Sequence, residues 1–240
     1  MKLTVLGSSS AGNCYILQND NEAIILEAGF NLSQVKQALN FNVNKVKAVL
    51  VTHEHGDHAK YTKNFEQIFP LYTNESVIKA KGLNRAYKLE IGKRIDVGNF
   101  KVMSFQADHD VECTGFFIGH PDMGNLLFLT DSATCDYEFK HLNHIMIECN
   151  YSDKELDDSV EKGLHPYVAK RVRGTHMELN TTKEVLQAQN MNNVVNIILL
   201  HLSKDNSDPK FFKEYLSATI GKPIKIAKPG LEIELENRIY

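Results

Sequence analysis

Apolar positions along the chain repeat with two different periods. In the first half they form short runs broken by turn residues, which predicts strands at Lys2–Leu6, Cys14–Gln18, Ala23–Glu27, Lys47–Thr52, Pro70–Thr73, Phe100–Gln106, Gly115–Gly119 and Leu126–Thr130. Helical spacing fits Leu32–Leu39 and Glu75–Asn84 between them. The second half opens on an apolar strand, Ile145–Glu148, and then turns helical over Asp153–Lys162, His165–Arg173, Thr181–Gln189 and Asp208–Ile220. Asn180 or Thr181 is the expected cap of the third of these helices, with Glu184 three residues beyond Thr181. Val195–His201 reads as a buried strand, followed by short strands at Ile224–Ala227 and Leu231–Glu234. Strands from both halves with helices outside them predict an α/β protein of two sheets packed face to face between helical layers. No repeat, low-complexity tract or Pro/Gly-rich linker interrupts the pattern, so residues 1–240 read as a single domain.

Composition narrows the function classes. With 42% hydrophobic and 24% charged residues the chain can bury a sizeable core, and a net charge of −3 argues against a generally basic nucleic-acid coat protein. Cys14, Cys113, Cys135 and Cys149 form no C-x-x-C pair and read as reduced thiols. Neither Leu3–Leu6 nor Val194–Leu202 is long enough for a signal-peptide core or a bilayer span, so the expectation is a soluble cytoplasmic protein with no membrane partner.

The chemistry concentrates in Thr52-His53-Glu54-His55-Gly56-Asp57-His58, directly after the apolar run Val46–Val51. A strand running into such a loop aims His53 and His55 the same way, because alternate side chains share a face. Asp57 and His58 lie past the strand end, free to turn towards a second point nearby. Imidazole and carboxylate together suit divalent zinc or manganese. Further candidate ligands end predicted strands: His109, Asp131 and His201.

With those residues in place the sequence resembles the metallo-β-lactamase superfamily of binuclear hydrolases over nearly its whole length. The resemblance implies a four-layer αββα sandwich of two mixed β-sheets flanked by helices. It also implies two divalent metal ions, zinc or manganese, the first held by His53, His55 and His109 and the second by Asp57, His58 and His201. Asp131 would bridge them, since a carboxylate can divide its two oxygens between cations. Two positions depart from the superfamily pattern. Glu27 stands where the strand before the first helix usually ends in aspartate, and Tyr61 stands where a glycine usually follows the motif.

Four more stretches resemble the small bacterial YycJ/WalJ-like exonuclease branch of that superfamily: the small-residue turn Leu6–Cys14, Glu148-Cys149-Asn150-Tyr151, Arg173–Asn180 and Leu200–Asn206. By that resemblance Asp57, Glu148 and His176 serve catalysis. Glu148 fixes the imidazole of His176, which protonates the leaving oxygen while a metal-bridging hydroxide attacks phosphorus. The implied activity is a phosphodiesterase acting as an exonuclease, with a nucleic-acid substrate and DNA preferred to RNA. Lys170 and Arg173, three apart on one helix face, read either as phosphate contacts or as a solvated face, and Tyr151 and Tyr167 could stack on bases but better suit core or surface packing. His120 is expected in a hairpin turn, His141 and His144 beside a helix end, and His165 at a helix start; none is assigned to metal.

Two other readings compete. One is a hydrolase of small thioesters or lactones on the same fold, in which His176 has no obvious task. True lactamases are disfavoured because they are exported and commonly carry cysteine where Asp131 stands. A transfer-RNA-processing role lacks an inserted arm for gripping RNA. The other reading is a non-catalytic module that binds nucleic acid or protein, against which the intact ligand set speaks.

Overall fold

The computed structural model describes residues 1–237. In chain order the elements are β1 (Lys2–Ser9), β2 (Gly12–Gln18), β3 (Ala23–Leu26), α1 (Leu32–Ala38), β4 (Val46–Val51), α2 (Gly56–Ala59), α3 (Thr62–Phe65), β5 (Leu71–Thr73), α4 (Glu75–Lys81), β6 (Tyr87–Lys88), β7 (Arg94–Val97), β8 (Phe100–Ala107), β9 (Cys113–His120), β10 (Gly124–Leu129) and β11 (Leu142–Glu148). Then follow α5 (Asp153–Glu161), α6 (Pro166–Thr175), α7 (Leu179–Ala188), β12 (Asn196–Leu200), α8 (Pro209–Ile220), β13 (Ile224–Ile226) and β14 (Glu232–Glu234).

The strands form two sheets, ordered β14-β1-β2-β3-β4-β5-β6 and β13-β12-β11-β10-β9-β8-β7. Both are mixed, and both are built alike. Antiparallel pairing joins β14, β1, β2 and β3, and likewise β7, β8, β9 and β10. Parallel pairing then runs from β3 to β6 and from β10 to β13. The first sheet takes one outer strand, β14, from the far end of the sequence. Parallel strands bring their C-terminal ends to one rim, where the following loops can converge.

Alternation along the strands sorts the apolar residues into layers. Leu3, Tyr15, Ile24, Leu26 and Leu50 face Phe100, Phe116, Phe128, Met146 and Ile198 across the space between the sheets. Neighbouring strand positions point outward: Ile25, Val49 and Val51 pack under Val35, Phe65 and Val77 of α1, α3 and α4. On the opposite face Ile145, Ile147, Ile197 and Leu199 meet Leu186, Phe212 and Leu216 of α7 and α8. The result is the αββα sandwich expected from the sequence. No helix among the described residues is long and apolar enough to cross a membrane.

Several local expectations need correction. The edge strands β6 and β7 fall outside the predicted set. Tyr87 and Lys88 make a strand of only two residues, and Arg94 and Asp96 put charges on an edge where they discourage further pairing. His141 and His144 do not flank a helix. β11 begins at Leu142, and His144 is a buried strand residue in register with Leu126. The polarity of Asn143 and His144 hides the start of that strand. The cap of α7 is Glu178, whose carboxylate accepts from the Asn180 and Thr181 amides, rather than Asn180 or Thr181. His120, by contrast, opens the β9–β10 hairpin turn as expected, its carbonyl accepting from the Met123 amide at 3.2 Å, and its buried ring donates from Nε2 to Glu22 Oε1 at 3.0 Å.

Candidate metal centre

The histidine loop leaves β4 and is pinned at once. The Thr52 carbonyl accepts from Asn74 Nδ2 at 2.8 Å and from the Thr114 amide at 3.1 Å, which ties the loop to both sheets. His53 is fully buried, and α2 is a single turn that carries Asp57 and His58 onward. Its return is held by the Ala28 amide donating to the His58 carbonyl at 2.7 Å. Gly29 lies beside it because nothing larger fits. A Cβ there would sit 1.9 Å from the Asp57 carbonyl oxygen and 2.6 Å from the Asn13 nitrogen. Tyr61, by contrast, stands where no glycine is required. Its φ of −109° is ordinary, and it leads into α3.

Three side chains reach the same region through strained backbone. Glu27, Asp131 and His201, each just past the end of its strand, have φ of 68°, 48° and 51°. The left-handed region costs a residue with a Cβ about 1–2 kcal/mol. Strain of this kind persists where the surroundings over-determine it, often at functional sites. Here it turns a side chain off the strand axis and into the rim.

The candidate ligands named from the sequence therefore meet. His53, His55, His109 and Asp131 form one group, and Asp57, His58, Asp131 and His201 a second, with the donor atoms in each group within 4.8 Å of one another. Asp131 faces both. Its Oδ2 lies 3.8 Å from His53 Nε2, while Oδ1 lies 3.3 Å from His58 Nε2 and 3.3 Å from His201 Nδ1. His109 Nδ1 donates to the Thr175 carbonyl at 2.8 Å, which leaves its Nε2 lone pair turned towards His55 Nδ1, 3.2 Å away. Glu27 sits behind His58, with Oε2 3.6 Å from Nδ1. The longer side chain thus still reaches the histidine loop.

Electrostatics set the two groups apart. Burial, with the neighbouring His58 charge, pushes the His53 pKa well below its usual value, so this imidazole presents a neutral lone pair. At His201 burial works the same way, but Asp131, Asp57 and Glu148 outweigh it and raise the pKa to about 10. Asp131 is buried too, yet the His201 and His58 charges hold it well below the carboxylate range. His53 Nε2, His58 Nδ1 and Glu27 Oε1 are buried without a hydrogen-bond partner among the described residues. Unpaired buried polar atoms are costly and rare. Nitrogen and oxygen donors at this spacing, with orphaned buried atoms among them, fit a pair of divalent cations.

A third group adjoins these two. Glu148 Oε1 accepts from His176 Nδ1 at 2.7 Å, while Oε2 accepts from the Ser132 and Met177 amides at 2.9 and 3.1 Å. The His176 ring stands 5.4 Å from that of His201 and 5.8 Å from that of His109. Although burial opposes it, the Glu148 charge raises the His176 pKa.

Two polar neighbours of the centre carry little or no sequence signature. Asn13 Nδ2 lies 2.9 Å from His58 Nε2 and donates to Asp57 Oδ2 at 3.1 Å, so the small-residue turn between β1 and β2 is part of the site wall. Asp110 Oδ1 lies 3.2 Å from His109 Nε2 and 3.5 Å from His55 Nε2. Its one signal is adjacency to His109. The two basic residues of α6 singled out from the sequence lie in different surroundings. Arg173 is bound away from the centre by Asp153 and Asp157 of α5, at 3.2 and 2.5 Å, whereas Lys170 is exposed. Tyr151 is buried against Leu156 and Ala169, the packing role expected for it.

Comparison with known proteins agrees with this architecture. Residues 9–71 match the model of the metallo-beta-lactamase superfamily. The metallo-β-lactamase fold protein YhfI of Bacillus subtilis superposes with a TM-score of 0.72 at 16% identity, covering 97% of this chain and 98% of that one. The chain has the metallo-β-lactamase fold. Exodeoxyribonuclease YycJ of Bacillus anthracis is 27% identical over 71% of this chain and 69% of its own length. Exodeoxyribonuclease WalJ of Streptococcus pneumoniae is 23% identical over 100% of this chain and 93% of its own. In sequence the chain resembles these YycJ and WalJ exodeoxyribonucleases.

Proposed function

We propose that the chain is a binuclear metal-dependent phosphodiesterase that removes nucleotides from DNA ends. His53, His55 and His109 would hold one divalent ion, Asp57, His58 and His201 the other, and Asp131 both. When bound, such a pair acts as a Lewis acid towards the phosphoryl oxygens and lowers the pKa of water. The observation that carries the reading is the Glu148–His176 pair at 2.7 Å beside the two ligand groups. Glu148 holds the Nδ1 proton and leaves Nε2 facing the site. With its charged form favoured by that carboxylate, His176 can give its Nε2 proton to the departing oxygen of a phosphodiester. Asp57 Oδ2 is engaged by Asn13, His58 and His201, and Oδ1 would accept a hydrogen bond from the attacking water. Hydrolysis of a thioester or lactone would leave the imidazolium without a task. The YycJ and WalJ relatives, both exodeoxyribonucleases by name, support DNA as the substrate.

Incubation with end-labelled single- and double-stranded DNA and Mn²⁺ or Zn²⁺ tests the reading. Wild-type protein should release nucleotides from an end, and Asp131→Ala should lose at least about 100-fold of that rate. Wild-type cleavage no faster than that of Asp131→Ala overturns it.

A further inference from the structure

α6 ends at the metal centre, since Thr175 supplies the carbonyl that holds His109. One turn earlier stands Arg171. Its Nε and Nη2 both donate to Asp110 Oδ2, at 3.3 and 3.1 Å, and the other oxygen of that carboxylate lies against His109 and His55. A single carboxylate therefore separates this guanidinium from two of the proposed ligands. The Arg171 side chain is nonetheless 58% exposed. An ion pair so open to water is weak, and exchanging its acceptor costs little. Arg173 instead pairs with Asp153 and Asp157 of α5, on the other side.

Tyr167 precedes Arg171 by four residues. The two side chains therefore share a face of α6, about 6 Å apart along the axis. Tyr167 is 72% exposed. A rigid exposed ring and an adjacent guanidinium are the two groups that engage a single strand without sequence preference, by stacking and by bidentate contact to phosphate.

We propose that Tyr167 and Arg171 form a strip that docks the end of a DNA single strand and leads it to the metal centre. This rests on the nuclease reading and names its substrate grip. Arg171 exchanges Asp110 for a backbone phosphate next to the one being cut, and Tyr167 stacks on the base beyond. The phosphate presents anionic oxygens to the guanidinium, as Asp110 does in its absence. Neither contact reads sequence.

Fluorescence anisotropy tests the strip, using a short labelled strand with slowly cleaved phosphorothioate linkages, manganese-loaded proteins of equal metal content and a series of salt concentrations. Arg171→Ala should weaken binding about tenfold and reduce the slope of log affinity against log salt by about 0.7. Arg171→Lys should recover the slope but only part of the affinity. Tyr167→Ala should weaken binding at least about fivefold with the slope unchanged. If wild-type protein binds and digests the strand while either alanine variant matches it in affinity and slope, the paired strip is wrong and the nuclease reading stands. If wild-type protein neither binds nor digests any DNA strand, both fall.

Discussion

Glu22, at one rim of the sandwich, and the histidine loop, at the other, are polar groups buried to different ends. At the rim away from the metal centre Glu22 is fully provided for. Its carboxylate accepts from His120 Nε2 at 3.0 Å, from the Asn99 amide at 2.9 Å and from Asn99 Nδ2 at 2.6 Å. This brace joins the start of β3 to the end of β9 and to the turn before β8, so it clamps one sheet to the other. At the rim of the candidate metal centre the side chains are equally buried but poorly served. His53 Nε2, His58 Nδ1 and Glu27 Oε1, close together, lack partners among the described residues, where the far rim has His144 Nε2, and Glu27, Asp131 and His201 turn inward at positive φ. A network satisfied within the protein adds rigidity, and one left unsatisfied keeps the capacity to hold something else.

Substitutions should separate the two rims. Glu22→Ala breaks a buried pair whose side chains are 4% and 2% exposed. It should cost about 3–5 kcal/mol in urea unfolding, with the hydrolytic rate per folded molecule kept. An equal loss of activity would erase the distinction between brace and site.

His144 gives the far rim a pH signature. Burial holds its pKa down to about 4, against 6.5 when exposed. Its stabilising effect is complete above pH 6.5, where both folded and unfolded forms are neutral. As pH falls through this window the unfolded chain takes up the proton first, so stability drops by on the order of 2–3 kcal/mol. Urea titrations from about pH 7 to pH 4 should show that decline, and His144→Gln should flatten it. An unchanged slope in the variant would assign the decline to other groups.

Glu148→Gln is the mildest of these changes, and it acts at the metal rim. Gln keeps the shape but removes the charge that favours protonated His176, so kcat should fall about 10- to 100-fold while bound metal stays constant. Retained kcat would deprive the Glu148–His176 pair of its role.

Much of this is legible in the sequence because its logic is local. Alternation places Leu50 inside and Val49 and Val51 outside, and the spacing of His53, His55, Asp57 and His58 marks a loop with two targets. Contacts that depend on folding are not legible. Asn13 reaches His58 across 45 positions, and Asp110 meets Arg171 across 61. Helical spacing puts Lys170 and Arg173 on one face but cannot say that the acids of α5 hold Arg173. Nor can it say that Arg171 turns towards the centre. Polar residues inside strands mislead in the same way, since His144 is buried by its neighbours rather than by its own character.

The proposed chemistry depends on seven side chains holding two cations. Elemental analysis of protein dialysed after saturation with zinc or manganese tests this most directly. Close to two ions per chain in the wild type, with a clear loss in Asp131→Ala, is the predicted result; wild-type protein retaining well under one ion per chain would contradict it.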